Sequence, residues 1–209
     1  MTLNQIQFQE SLQHTIRFEQ REALNSSIDS PLGRLKYCAP PTYQDKLADL
    51  IRVEKPNIVV ETGLCEGFGA EYILKALDDN GRGHLYSIDP MDTSHVTNGC
   101  VPNPSLYDSN PIVHPRFTLI RKLSQDALGP LFDEVGLFDM FIHDSDHCEE
   151  VQTFEYEAAW RMVRPGGIIV SDDIAWGIPP HRSWHKFLAL HSLGENGNVI
   201  GNAQWFRRP

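Results

Sequence analysis

A chain of 209 residues can bury one sizeable core and leaves little room for two, so a single domain is expected. With 41% hydrophobic and 22% charged residues it has the composition of an ordinary globular protein, which excludes a disordered or fibrous chain. The formal net charge of -10 disfavours nucleic acid or an anionic membrane as the main partner, because both rely on clustered Lys and Arg, and suits a small neutral or cationic ligand. No apolar run reaches spanning length, and the start, MTLNQIQFQESLQH, lacks the basic flank and apolar block of a signal peptide, so a cytoplasmic location is expected. Cys38, Cys65, Cys100 and Cys148 are scattered with no C-x-x-C pair, which reads as reduced thiols rather than a zinc knuckle or disulfide framework.

Along the chain, Leu3 to Leu24 carries apolar side chains in an imperfect helical pattern rich in Gln and Glu, and Ser30 to Pro41 is a Pro-containing connector. Residues 1–42 are therefore read as a helical extension and connector, and 43–209 as the core. Tyr43 to Val53 is a helix with Tyr43, Leu47, Leu50 and Ile51 on one face. The period then changes. Asn57 to Thr62 is a short buried strand, followed by a Gly-rich turn and a helix from about Glu66 to Leu77. His84 to Asp89 is a second strand. From Met91 to Arg116 the prolines at 102, 104, 111 and 115 interrupt the pattern, so the helix expected there is short or replaced by a loop, of the kind that often lines a site. Phe117 to Arg121 is a third strand, Phe138 to His143 a fourth and Gly167 to Ser171 a fifth. Between the last two, Glu149 to Val163 is helical by its spacing of Val151, Phe154, Ala158 and Met162, and Arg-Pro-Gly-Gly closes it. His181 to Leu193 can form a helix, and Asn198 to Arg208 a final strand or tight hairpin. Alternating strands and helices predict an α/β fold, a doubly wound and mostly parallel sheet covered by helices on both faces.

Ligands of such sheets sit beyond the carboxyl ends of the strands, so the residues ending each strand are the informative ones. The first strand ends in Glu61-Thr-Gly-Leu-Cys-Glu-Gly67-Phe-Gly69, where glycines let backbone approach a ligand closely. As a dinucleotide fingerprint the run fails, since Cys65 and Phe68 stand where glycine is needed. Glu61 at the mouth of the turn would repel a pyrophosphate but suits a ligand with an ammonium and a sulfonium. This argues against a nicotinamide-dependent oxidoreductase, and the absence of a G-K-[ST] element argues against a nucleoside triphosphate. The second strand ends at Asp89, where an acid can accept hydrogen bonds from both hydroxyls of a ribose.

The run VVETGLCEGFGAEYILKAL, the acid in YSIDP, and the later MFIHDSDH and RPGGIIVSDD resemble the successive motifs of class I S-adenosylmethionine-dependent methyltransferases, over roughly Tyr43 to Trp176. The resemblance implies a Rossmann-like sheet with S-adenosylmethionine as cofactor. It implies that Glu61 and Gly63 lie near the methionine portion, that Asp89 binds ribose and that Ser124 to Asp126 lie near adenine. Thr62, Gly67, Phe68, Pro90, Gln125 and Asp144 complete the expected cofactor contacts.

The fourth strand runs into His143-Asp-Ser-Asp-His147 and the fifth into Ser171-Asp-Asp173. If these strands are neighbours, four carboxylates converge, and such like charges need protonation, solvation or a counter-ion. Mg²⁺ would resolve the repulsion, since it favours oxygen ligands, and a metal-held hydroxyl is both acidified and aimed for attack on a methyl group. This part resembles the metal-dependent small-molecule O-methyltransferases, including catechol enzymes and the sugar enzymes of antibiotic pathways. Carried over, Asp144, Asp172 and Asp173 would be metal ligands and Asp146 the general base. His147 departs from the pattern and could itself act as base, having a pKa near neutrality. A metal-independent enzyme using His147 or Asp146, acting on oxygen or nitrogen, is the alternative.

His143 is expected to be hydrogen-bonded structure, and His181, His185 and His191 a solvated helix face. Trp176, Trp184 and Tyr107 could cover the pocket or belong to the core. The expected partner is a small-molecule acceptor with a sugar or phenolic hydroxyl, with neither nucleic acid nor membrane involved. The amphipathic N-terminal segment leaves room for a homodimer.

Overall fold

The structure is a computed structural model that describes residues 43–91, 107–108, 111–174, 178–194, 197–201 and 203–209. The patterns at 3–24 and 30–41, most of the Pro-rich stretch, and Cys38, Cys100 and Trp176 lie outside these residues.

Helix α1 (Tyr43–Glu54) leads into strand β1 (Ile58–Thr62) and helix α2 (Phe68–Asp79), then β2 (His84–Ile88) and β3 (Phe117–Ile120). Helix α3 (Ser124–Val135), β4 (Phe138–His143), α4 (Glu149–Met162), β5 (Val163–Ser171), α5 (Ile178–Leu190) and the hairpin β6 (Asn198–Ile200) with β7 (Ala203–Arg207) follow. The seven strands form one sheet in the order β3-β2-β1-β4-β5-β7-β6. Pairing is parallel from β3 to β5, while β7 runs antiparallel to both β5 and β6. The chain winds outward from β1 to β3 and returns to place β4 on the other side of β1. That reversal opens a crevice beyond the tips of β1 and β4, where a doubly wound sheet holds its ligand.

Period-two alternation divides the core between the two faces. Val59, Met140, Ile142, Ile168 and Val170 pack under α1 and α2 with Leu47, Ile51, Ile73 and Leu74. Val60, Phe141, Ile169 and Phe206 pack on the other face with Leu128, Leu131, Tyr156, Trp184 and Phe187 of α3 to α5.

Two elements differ from the sequence reading. Helix α3 is not among the elements expected from the sequence; Gly129 and Pro130, which disfavour a helix interior, stand inside it, yet Ala127, Leu128 and Leu131 still bury one face. Strand β5 starts four residues earlier than expected. Val163 already pairs with Phe138, and the register then shifts before Met140 meets Ile168, so Arg-Pro-Gly-Gly forms an irregularity within the strand rather than a loop before it. The C-terminal segment takes the hairpin option, with strands short enough to fit.

The hairpin also fixes α1 at both ends. Arg207 donates to Glu54 at 2.7 and 3.0 Å, and a Cβ on Gly201 would press on the backbone and Cβ of Tyr43 at 3.3 Å.

Candidate active site

Beyond the tips of β1, β4 and β5 the alternation continues, and it sorts the polar residues onto two faces. Glu61 follows Val60 and turns to the α1–α2 face. Asp144 stands two residues after Ile142, and Asp172 two after Val170, on the same parity. Thr62, His143 and Ser171 turn to the α4 face instead.

On the α4 face these groups are held by α4 itself. The Thr62 hydroxyl donates to Glu155 Oε2 at 2.6 Å, His143 Nδ1 donates to the same oxygen at 2.6 Å, and the Ser145 hydroxyl donates to Oε1 at 2.8 Å. Tyr156 and Ser171 share a hydrogen bond of 2.7 Å through their hydroxyls. Burial pushes the Glu155 carboxyl up, but the His143 hydrogen bond and charge outweigh it and, with the hydroxyls, leave it below its usual range. His143 is thus a satisfied structural residue, as expected. Thr62, expected among the cofactor contacts, spends its hydroxyl on Glu155.

The α1–α2 face carries the remaining acids. Gly63 has φ +87°, and a Cβ there would overlap the Asp144 carbonyl oxygen, so only glycine lets the tips of β1 and β4 close together. Glu61 is buried and accepts from the Ser87 hydroxyl at 2.5 Å. Burial raises its carboxyl to about 7 despite that hydrogen bond, with the Asp89 charge adding to the effect. Asp89 clamps the glycine turn. Its Oδ2 accepts the Leu64 and Cys65 amides at 2.8 and 2.9 Å, and its Oδ1 accepts the Met91 amide at 2.7 Å. These bonds use three of the roughly four acceptor positions of a carboxylate, so ribose hydroxyls would have to share it with the backbone.

Asp172 is buried, its Oδ1 accepting the Asp173 amide at 2.7 Å. Burial first, and then the charge of Asp173, push its carboxyl up to about 8. Asp173 has φ +52° and faces His147 Nε2 at 3.4 Å. His147 Nδ1 lies 2.5 Å from the Ser145 carbonyl oxygen, which can only accept, so Nδ1 carries the proton and Nε2 is the exchangeable nitrogen. Burial lowers the His147 pKa, but the Asp173 hydrogen bond and charge more than reverse this. Asp146 Oδ1 accepts the Cys148 amide at 3.1 Å at the start of α4, where Glu149 and Glu150 also favour the helix N-terminus.

The other expected residues spread outward. Phe68 opens α2 and meets Tyr72 edge-on at 5.1 Å, while Gly67 sits in the left-handed region at φ +82° beneath Tyr107 and Ile112. Pro90 is half-buried beyond β2. Ser124 and Gln125 begin α3, the first buried and the second exposed. Tyr107 and Trp184 are core residues, the indole donating to Gln204 at 2.8 Å on the α5 side. His181 and His185 approach each other at 4.2 Å, whereas His191 pairs with Glu157 and stacks on Trp160.

Among the described residues no three His, Cys, Asp or Glu side chains form a ready-made metal cage. The donor chemistry nonetheless suits a hard cation, because Asp144 and Asp172 present only oxygens and Asp172 carries an uncompensated burial cost. Sequence reading missed Glu155 and the role of Tyr43. Glu155 lies one residue past the apolar position Phe154 and carries no local signal of its long-range partners.

The sequence profile of a methyltransferase domain family matches residues 60–174, more than half of the chain and the stretch that holds every strand tip described above. The chain belongs to this methyltransferase family. Solved structures agree on the fold. The methyltransferase resembles an O-methyltransferase from Bacillus cereus in complex with SAH, with TM-score 0.59, 15% identity, and 93% of this chain and 90% of that one covered. It also resembles the O-methyltransferase TomG from Streptomyces achromogenes, involved in tomaymycin synthesis and solved with SAM, at TM-score 0.60 and 15% identity over 92% and 89% of the chains. The MycE methyltransferase of the mycinamycin pathway, in complex with Mg and SAH, gives TM-score 0.56 and 20% identity over 80% of this chain and 50% of that one. No curated protein sequence matches significantly. The methyltransferase has no helix, among the described residues, long and apolar enough to cross a membrane.

Proposed function

We propose that this methyltransferase transfers the methyl group of S-adenosylmethionine to a hydroxyl oxygen of a small molecule, a sugar or a phenol, with Mg²⁺ assisting. The observation that carries the reading is the gathering of Glu61, Asp144 and Asp172 on one face at the tips of three neighbouring strands, with Glu61 raised to about 7 and Asp172 to about 8. Such a face lacks positive charge. A donor with an ammonium and a sulfonium supplies it beside Glu61, and a divalent cation supplies it between β4 and β5.

Asp144 and Asp172 would hold the metal, with Asp173 shared between it and His147. When bound, Mg²⁺ lowers the pKa of the acceptor hydroxyl and fixes its direction. His147 Nε2 takes the hydroxyl proton, and Asp173 steadies the resulting imidazolium. The acceptor oxygen forms its bond to the methyl carbon as the carbon–sulfur bond breaks, and the electron pair leaves on sulfur as a neutral thioether. Of the two expected bases, Asp146 has its Oδ1 on the Cys148 amide while His147 turns its exchangeable nitrogen toward Asp173, which supports His147 for that role.

Transfer from S-adenosylmethionine to a panel of catechols and hydroxylated sugars, read as S-adenosylhomocysteine formed, tests the proposal. EDTA is expected to abolish turnover and Mg²⁺ to restore it. Turnover indifferent to EDTA would remove the metal and leave His147 acting alone, and methylation of amines only would remove the hydroxyl acceptor. The charge of -10 supports a small-molecule partner over nucleic acid or a membrane.

A further inference from the structure

Tyr43 opens α1 and reaches under the strand tips on the acidic face. It is 8% exposed, its ring belongs to the core formed with Leu47, Leu64 and Met91, and its hydroxyl is fully enclosed with no hydrogen-bond partner among the described residues. A buried phenol oxygen left unpaired costs stability, and native cores rarely keep one without a use. Its surroundings are acidic. After burial itself, Asp172, Asp144, Glu61 and Asp173 hold the phenol well above its ordinary pKa, so the hydroxyl stays neutral and keeps a proton that no acceptor takes up among the described residues. The nearby acids are engaged elsewhere, Glu61 with Ser87 and Asp172 with the Asp173 amide.

A group that uses this proton must be an acceptor. The sulfonium and ammonium of the proposed donor offer no acceptor for it, and Glu61 already answers their charge. The α-carboxylate at the same end of that molecule is the misfit, since it would enter a ring of like charges. A neutral donor fixed inside the ring is what allows it in. Resting on the function proposed above, we propose that Tyr43 is a positioning residue whose hydroxyl donates a hydrogen bond to the α-carboxylate of the methyl donor.

Calorimetric titration of Tyr43→Phe and wild-type protein with S-adenosylhomocysteine, and with 5′-methylthioadenosine, which lacks the amino-acid end, tests this. The substitution is expected to weaken S-adenosylhomocysteine by roughly tenfold or more, as for a hydrogen bond to a charged group, and to leave 5′-methylthioadenosine within about twofold. A ligand-free melt gives a second readout. Removing an unpaired buried hydroxyl should leave the melting temperature equal or higher, whereas a structural hydroxyl would lower it. On wild-type protein alone, decarboxylated S-adenosylhomocysteine should bind about as weakly as the intact molecule binds Tyr43→Phe. Equal losses for both nucleosides, or no loss for either, overturn the assignment while leaving the donor reading intact. Wild-type protein that binds neither nucleoside overturns both.

Discussion

His143 and His147 are four residues apart and 5.5 Å between ring centres, yet they sit in different chemistry. The first is locked to Glu155 inside the core, and the second points its exchangeable nitrogen at Asp173. Their supports should answer differently to substitution. Replacing Glu155 by Gln leaves His143 with a broken buried pair and is expected to cost about 3–5 kcal/mol of stability by denaturant titration. His147→Gln is expected to keep a cooperative fold by circular dichroism and lower kcat on the order of 100-fold or more, the usual weight of a general base. At this scale the acids were legible. Glu61, Asp89, Asp144 and Asp172 each end a strand, and a strand end is visible in a run of apolar residues. Glu155 and Tyr43 were not, because the first takes its meaning from Thr62, His143 and Ser145, brought together only by the fold, and the second from a hydroxyl without a hydrogen-bond partner among the described residues. Nothing in their immediate spacing carries that information.

The elements themselves were largely legible, since five strands and four helices follow the change between periods 2 and 3.6. What misled was glycine and proline. In α3, Gly129 and Pro130 look like a stop, but the helix survives because its apolar face packs on β4 and α4, a gain that local propensity cannot register. In β5 the pair Gly166 and Gly167 looks like a loop, but a Cβ on Gly167 would strike the Asp139 carbonyl oxygen at 2.8 Å, so glycine there serves a close crossing of strands. The two cases separate in a test. A Cβ on Gly129 meets nothing beyond its chain neighbours and is crowded by the Pro130 ring alone, so Gly129→Ala is expected to change stability by less than about 1 kcal/mol, whereas Gly167→Ala is expected to lower the denaturant midpoint by more than that.

Taken as a whole, the molecule concentrates unfavourable charge at one end of its sheet, and its stability should report this through pH. Glu61 has a folded pKa of about 7 against an ordinary 4.5, so its contribution is fully present below about pH 4.5 and lost as pH rises through 7. Asp172, raised to about 8, acts in the same direction. Glu155, held low, contributes above the ordinary carboxyl range and loses its contribution only in acid. Ligand-free protein is therefore expected to weaken between about pH 5 and pH 8, by about 3 kcal/mol from Glu61 alone. Glu61→Gln should flatten that slope and raise stability at pH 8 while losing affinity for S-adenosylhomocysteine, and denaturant titrations at three pH values would show it. The crevice itself was legible as a whole-molecule feature, because strand order follows from how a doubly wound chain must return. The terminal hairpin holds both ends of α1, through Gly201 against Tyr43 and Arg207 against Glu54. During synthesis, then, Tyr43 is made well before the hairpin, and its helix stays unanchored at both ends until residues 201–207 have been made. A nascent chain lacking them can form most of the parallel sheet, yet it should not recognise the donor, so binding competence arrives in one step once the hairpin has been made.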